Sequence, residues 1–478
     1  MQLSSTQQEA FECYQEGKNV FITGPGGTGK SQLIKLIVED AKKNEKECNV
    51  CALTGCACIL LQCNAKTIHS WAGVGLCSGD IERLAIDISL NKFKKRNWKK
   101  VDILIIDEVS MMSSKLFHAL NLIAKKCRSN DRIFGGIQVI FSGDFHQLSP
   151  VGNMDEPETC KYCFESELWN QVFDKQIIFD KIFRQTDERY IKILTQIRDG
   201  KMTKSSVATL QSYVGRTIDN TVNIMKPTVI CPTRSKVDAI NEREMKNIPG
   251  ERVSFTKGRC DCDVLDEYGK DISNSSKYNI FTPNEVEYEA EFLMKNVNCD
   301  NVLQLKVGAQ VMCIANIDMD NDICNGSQGI ITEFTKEGFP TVKFQNNIVK
   351  TVGYHKWQSE KIKTIGVKQV PLRLSWAITI HKSQGATMDC AEIDIGSNVF
   401  ACGQTYVALS RVKSLDGLYL KSFDVSKIKL SKKVIAFYNN IKQQQTVFHV
   451  FNSIPEPEIS VYLKLNVLRF LSLNSYKK

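Results

Sequence analysis

Apolar residues along this chain fall into two periods, and the polar residues that interrupt them are not random. The run "NVFIT" at 19–23 breaks at a glycine cluster, and "SQLIKLIVEDAKK" follows, with Leu33, Ile34, Ile37 and Val38 at helical spacing. The pattern predicts a buried strand, a tight loop and an amphipathic helix. A second run, "VDILII" at 101–106, is apolar at five of six positions, as a parallel strand covered on both faces should be. It ends in Asp107 and Glu108. A third, within "GIQVIFSGDFHQL" at 136–148, ends in Asp144 and Gln147. Further on, "PTVICPT" reads as another strand and "KVDAINEREM" as the helix after it. Between 250 and 370, "VGAQVMCIANID", "GSQGIITEFT", "GFPTVKFQNN" and "NIVKTVGYHKW" alternate and turn like short antiparallel strands. The polar stretch 258–285 reads as a loop.

Length and composition widen this picture only a little. With 478 residues the chain should hold about three domains. An apolar content of 42% and a charged content of 24% belong to a soluble globular protein. The net charge of +9 permits a nucleic-acid partner without requiring one. No apolar run approaches the ~18 residues of a membrane span, so no membrane partner is expected. The 18 cysteines follow no regular spacing, and the N-terminus shows no leader pattern. The expectation is a reducing compartment, cytoplasmic or nuclear. Cys160 and Cys163 form one CxxC and Cys260 and Cys262 a CxC. They would bind zinc only if they met in space, and unpaired thiols are the plainer reading.

The glycine cluster carries the chemistry. Gly24, Gly29, Lys30 and Ser31 match the phosphate-binding pattern G-x-x-x-x-G-K-[ST], with Gly26, Gly27 and Thr28 inside the loop. Glycines let backbone N–H groups reach phosphate oxygens, and the helix N-terminus adds its positive dipole end. Lys30 should reach the β- and γ-phosphates and Ser31 should bind Mg²⁺. Asp107 should hold the same ion, and Glu108 should orient and deprotonate the attacking water. Gln147 is brought to the same sheet edge, where it would sense the γ-phosphate or the attacking water. The chain is therefore expected to be a nucleoside triphosphatase that uses Mg²⁺, which still leaves kinases, GTPases, transporters, clamp loaders and helicases open.

Six further blocks indicate what that energy drives. They are "LSSTQ" (3–7), "ALTGCACILLQCNAKTIHSWAGVGLCSGD" (52–80), "FGGIQVIFSGDFHQLSPV" (134–151), "IFRQTDERYIKILTQIRDG" (182–200), "PLRLSWAITIHKSQGATMD" (371–389) and "QTYVALSRVKSLDGL" (404–418). In this order they resemble the motifs of the Pif-type DNA helicases of superfamily 1B, relatives of RecD. The departures are few: His146, Ser149, Cys56 and Cys58 stand where that family usually shows other residues, and 440–478 matches none of its motifs.

The resemblance implies an α/β fold with two RecA-like P-loop NTPase motor domains and a small β-rich, SH3-like insertion in the second. It implies boundaries of 1–183 for the first motor domain, with a small insertion near 62–85. The second would comprise 184–250 and 370–440, the inserted domain 251–369, and the tail 441–478. It implies that Gln7 reads adenine, and that Arg184 and Arg411 act as arginine fingers, brought to the γ-phosphate when the second domain folds back. For DNA it implies a track of Thr54, Gly55, Thr67, His69 and Ser70 on the first motor domain, and Thr233, His381, Lys382 and Ser383 on the second. Phe145, Trp71 and Trp376 are stacking candidates that core packing would explain equally well. The basic run "NKFKKRNWKK" (91–100) is either a solvated face or a DNA contact. The activity implied is that of an ATP-dependent helicase moving 5′ to 3′ on single-stranded and forked DNA. It would be a monomeric motor with replication or repair proteins as partners. A nucleotide-gated DNA-binding remodeller would use the same motifs, and a metabolic NTPase or kinase is the reading from a different class.

Overall fold

The computed structural model describes residues 3–453 apart from 62, 64, 76, 78, 218–224, 265–272, 274–280, 298, 319, 322, 324–325 and 360–361. Two compact units divide the chain, Met1–Lys429 and Leu430–Lys478. Within the second, a helix spans Lys432–Ser453; the rest of the expected tail lies outside the described residues.

The first unit contains two parallel sheets. One uses β1 (Val20–Thr23), β2 (Cys48–Ala52), β3 (Lys66–Thr67), β4 (Ile103–Asp107), β5 (Gln138–Gly143) and β6 (Lys175–Ile178), in the order β3-β2-β4-β5-β1-β6. Every pairing in it is parallel. All five residues of β4 are buried, as the unbroken apolar run requires. Ile22, Ile34, Ile37, Ile103, Ile105 and Ile140 pack in the core between strands and helices. The other parallel sheet uses β7 (Thr228–Cys231), β8 (Ala377–Thr379), β9 (Ala391–Ile395) and β10 (Leu418–Phe423), in the order β8-β7-β9-β10. Its strands come from two separated stretches of chain.

The strands between those stretches are antiparallel. Gln310–Cys313, Gln328–Phe334, Pro340–Phe344, Val349–Thr351 and Leu372–Leu374 form one sheet. Val311, Ile331, Val342 and Phe344 fill its core, which is continuous with Val229 and Trp376 beside the second parallel sheet. The expected α/β fold with a β-rich insertion is therefore present. The stretch 258–285 is not wholly a loop. Gly258–Asp261 is a strand paired with Ile365–Gln369, a partner over a hundred residues away that local composition cannot announce. Most of the remainder of that stretch lies outside the described residues. Among the described residues no helix is long and apolar enough to cross a membrane, and no cluster of three or more His, Cys, Asp or Glu side chains could hold a metal ion.

Candidate active site

Parallel pairing brings the chemistry to one edge. β1, β4 and β5 are neighbours, with Thr23 opposite Gly143 and Ile106 opposite Phe141, so the loops after all three strands leave the sheet side by side. The loop after β1 is the glycine cluster. The helix Lys30–Lys43 starts from Gly29, at φ 80°, with no side-chain cap among the described residues, which leaves its first N–H groups for an anion. Lys30 Nζ donates to the carbonyls of Gly24 and Pro25 at 2.8 and 3.0 Å. Burial lowers its pKa. Ser31 is exposed at the start of the same helix.

At the end of β4, burial raises the pKa of Asp107. Glu108 takes a left-handed backbone, φ 55° and ψ 38°, which costs a non-glycine residue on the order of 1 kcal/mol or more. Burial first, and the neighbouring Asp107 second, push its carboxyl up to about 7, against the pull of Lys30 and Arg411. Glu108 Oε2 accepts a hydrogen bond from Gln384 Nε2 at 3.0 Å. Asp144, at the end of β5, is tied to Arg198 through Nη2 and Nε at 3.2 and 3.4 Å. Gln147 is buried, and its Oε1 has no hydrogen-bond partner among the described residues.

Two arginines close over the loop. A methyl group built on Gly26 would lie 3.5 Å from Arg184 Nη1 and 3.8 Å from Arg411 Nη2. On Gly27, at φ 86°, it would strike Arg184 Cβ at 2.4 Å, so only glycine fits there. Arg184 is held from both sides: its Nη1 donates to the carbonyl of Ser410 at 3.2 Å, and Gln185 Nε2 beside it donates to the carbonyls of Ser410 and Val412. The segment before Arg184 is bonded to the loop itself, Phe179 N–H to the carbonyl of Thr23 and Phe183 N–H to that of Gly27. Arg411 arrives from the second sheet. It is 1% exposed and donates to the carbonyls of Val407, Ser383 and Ala386 and to Ser410 Oγ. Burial, and the like charge of Arg184, lower its pKa to about 9.

Gln7 lies against the loop, with its amide used on both sides. Oε1 accepts from Ser4 N–H at 2.9 Å and Nε2 donates to the carbonyl of Thr28 at 3.1 Å. Here the side chain braces the N-terminal helix against the phosphate loop.

The strand-contact candidates gather at two matching places. Thr54 and Gly55 follow β2; Thr67 ends its neighbour β3, paired with Ala52, and His69 and Ser70 follow it. Thr233 follows β7, and His381, Lys382 and Ser383 follow its neighbour β8, where Cys231 pairs with Thr379. Each set sits at the carboxyl ends of the edge pair of its sheet. Thr54 and Thr67 accept hydrogen bonds from the N–H groups of Ala57 and Ser70, so both shape turns as well. Lys382 is exposed, while the Ser383 hydroxyl is buried against the carbonyl of Ile380.

Phe145 does not belong with them. It is 1% exposed within an aromatic core of Phe21, Tyr162, Phe164 and Trp169, because β5 delivers it into the layer under the sheet. Trp71 packs edge-on to Trp98 at 4.7 Å, and Trp376 is buried, so both are core. The basic run is a helix, Lys92–Lys100, with Trp98 buried and most of its cations exposed or half-buried.

Sequence reasoning missed four participants. Tyr406 hydroxyl accepts from Gly26 N–H at 3.0 Å. Gln384 reaches Glu108, Arg198 holds Asp144, and Phe183 presents a half-exposed ring near Gly29. All four lie inside quoted motif blocks, which was the available signal.

A family model described as "PIF1-like helicase" matches residues 2–208, and one described as "DNA helicase Pif1, 2B domain" matches residues 290–334. A curated protein of Danio rerio, "ATP-dependent DNA helicase PIF1", is 33% identical over 451 residues, covering 93% of this chain and 64% of that protein. The chain thus spans a little under two thirds of that relative's length. The crystal structure of Pif1 helicase from Candida albicans superposes with a TM-score of 0.74 at 32% identity, covering 92% of this chain and 100% of that one. The Bacteroides Pif1 helicase in complex with ADP-AlF3 and single-stranded DNA has a TM-score of 0.65 at 26% identity, covering 93% and 98%.

Proposed function

The chain belongs to the PIF1-like helicase family, and from that membership we propose that it is a DNA-dependent ATPase that moves along single-stranded DNA and opens duplex at a fork. The observation that carries the proposal is the meeting of two sheets at one loop. Arg411 and Tyr406, from the second sheet's segment, close on Gly26 of the phosphate loop beside Arg184. A nucleotide bound there would contact both halves, so its hydrolysis would change how they are held together.

Phosphoryl transfer asks the protein mainly for positioning and charge. Lys30 would exchange its two loop carbonyls for phosphate oxygens. Glu108 would take the proton of the attacking water, its left-handed backbone aiming the carboxylate out of the strand. Arg184 and Arg411 would neutralise charge that develops in the transition state, and Gln147, just past β5, offers an amide oxygen that has no hydrogen-bond partner among the described residues. Ser31 and Asp107 offer a hydroxyl and a carboxylate, hard oxygen donors that suit Mg²⁺. When bound, that ion neutralises β- and γ-phosphate charge.

The two edge sets, from Thr54 to Ser70 and from Thr233 to Ser383, would hold backbone phosphates by short polar groups, a grip tolerant of sequence. The Bacteroides relative, with its nucleotide analogue and single strand, supports this assignment of ligands. The direction proposed is 5′ to 3′, as the motif resemblance implies. The test is unwinding of forks bearing only a 5′ or only a 3′ single-stranded tail. Unwinding of the 5′-tailed fork with ATP is expected. Unwinding only of the 3′-tailed fork overturns the direction, and failure on both overturns the helicase activity.

A further inference from the structure

Gln384 stands where two proposed sites touch. It caps the short helix Ile380–Ser383, the element that carries His381 and Lys382 toward the strand-binding edge. The residue itself is 5% exposed. Its Nε2 donates to Glu108 Oε2 at 3.0 Å, and its Oε1 is buried with no hydrogen-bond partner among the described residues. The turn around it is pinned on both sides by one guanidinium, with Arg411 Nη1 donating to the carbonyls of Ser383 at 3.5 Å and Ala386 at 3.2 Å. That same guanidinium presents Nη2 toward Gly26. A strand held at Lys382 therefore lies two residues from a side chain bonded to the hydrolytic base. An anion drawn to Arg411 competes for the bonds that fix that turn.

Resting on the functional reading above, we propose that Gln384 is the positioning residue through which a bound single strand alters the setting of Glu108, so that DNA occupancy governs the rate of ATP hydrolysis. The coupling is a short physical chain: strand, helix Ile380–Ser383, Gln384 amide, Glu108 carboxylate. The step it asks for is a shift of a four-residue helix whose last turn is held by replaceable hydrogen bonds. The unpartnered Oε1 leaves the amide a second setting, since a rotated side chain gives up one bond and can gain another.

The test uses the full chain with Gln384→Met, which keeps the volume and removes the donor, and Gln384→Asn, which keeps an amide on an arm too short to reach. The quantities read are kcat with saturating oligothymidylate, kcat without it, KM for ATP, and affinity for the same strand by fluorescence anisotropy. The expected result is a stimulation ratio about tenfold or more below the parent's, the scale of one lost hydrogen bond to a charged group. KM for ATP and strand affinity stay within about threefold. A residue that merely packs would lower stability and affinity without singling out the ratio. If Gln384→Met does not fold, Gln384→Asn decides by the same ratio. An unchanged ratio in a folded variant, beside a stimulated parent, overturns this inference alone. A parent that DNA does not stimulate overturns the functional reading and this inference with it.

Discussion

Arg184 Nη1 donates to the carbonyl of Ser410 at 3.2 Å, and Ser410 precedes Arg411, the other arginine of the cleft. The two guanidiniums thus share one place over the phosphate loop but hang from different parts of the fold. Arg184 is tied to the loop through Phe183, whereas Arg411 is bonded into the second sheet's segment. Substitution should separate them. Arg184→Ala should lower DNA-stimulated turnover by about 10³-fold or more, with ATP-analogue binding within about tenfold. Lysine there should rescue poorly, because it lacks the planar fork. Arg411→Ala should lose turnover similarly and also destabilise the protein by about 3 kcal/mol, since several buried acceptors lose their donor. Steady-state ATPase beside urea unfolding checks both, and equal stability losses would contradict the distinction.

Glu108→Gln keeps the shape and removes the base. Turnover should fall by about 10²-fold or more while nucleotide binding persists. The carboxyl, pushed up to about 7 by burial and Asp107, works as a base only when ionised. The parent's kcat should therefore decline as pH falls below about 7, and the residual rate of the Gln variant should lack that limb. A Gln variant with near-parental turnover would assign the water to another residue.

Phe145→Ala and Lys382→Ala should have opposite signatures. Removing a ring buried among Phe21, Phe164 and Trp169 should cost about 3 to 5 kcal/mol and leave the strand affinity of the folded protein alone. Removing the exposed Lys382 should leave stability alone, weaken binding of mixed-sequence strands evenly, and reduce the log–log salt slope by about 0.7. Anisotropy titrations at several salt concentrations measure this. A Phe145→Ala protein of normal stability and poor affinity would return the ring to the DNA path.

Asp144 and Arg198 form a buried pair, with side-chain exposures of 0% and 9%. Arg198→Ala leaves a buried carboxylate uncompensated and should cost about 3 kcal/mol or more, and Asp144→Asn added to it should return part of that. Burial raises the Asp144 pKa, but Arg198, then His146 and Lys30, outweigh it, so the folded value lies below the ordinary one. Its contribution to stability is therefore complete above the ordinary carboxylate value of about 3.9 and is lost as pH falls through the lower, folded value. Without Arg198, burial pushes the Asp144 carboxyl up, so unfolding of parent and variant at a series of acidic pH values should show the difference between them starting to shrink above that range and largely gone below it.

How much of this was legible in the sequence depends on how local the cause was. The phosphate loop, the strand before it and the acidic pair after β4 were legible because strand, glycine turn and helix are consecutive, and the pattern itself states the geometry. The arginines were legible as motif members, but the route of Arg184 was not. Its place is set by backbone bonds from Phe179 to the end of β1 and from Phe183 to the loop, and by the carbonyl of Ser410, and bonds to backbone groups leave no residue signature. Phe145 misled because an aromatic beside a sheet edge reads the same whether it faces DNA or Trp169. Gln384 and Tyr406 were hidden in plain motif text, since only the fold brings position 384 to 108 and position 406 to 26. The strand Gly258–Asp261 was missed because its stability lies in a partner far along the chain.

The central claim is that ATP hydrolysis in this cleft answers to a bound single strand. The most direct measurement is the steady-state ATPase rate of the full chain, with Mg²⁺, at saturating single-stranded oligonucleotide and without it. The account predicts a rise of about tenfold or more on adding DNA, lost in Arg184→Ala. A rate indifferent to DNA, with the protein folded and ATP bound, would contradict it.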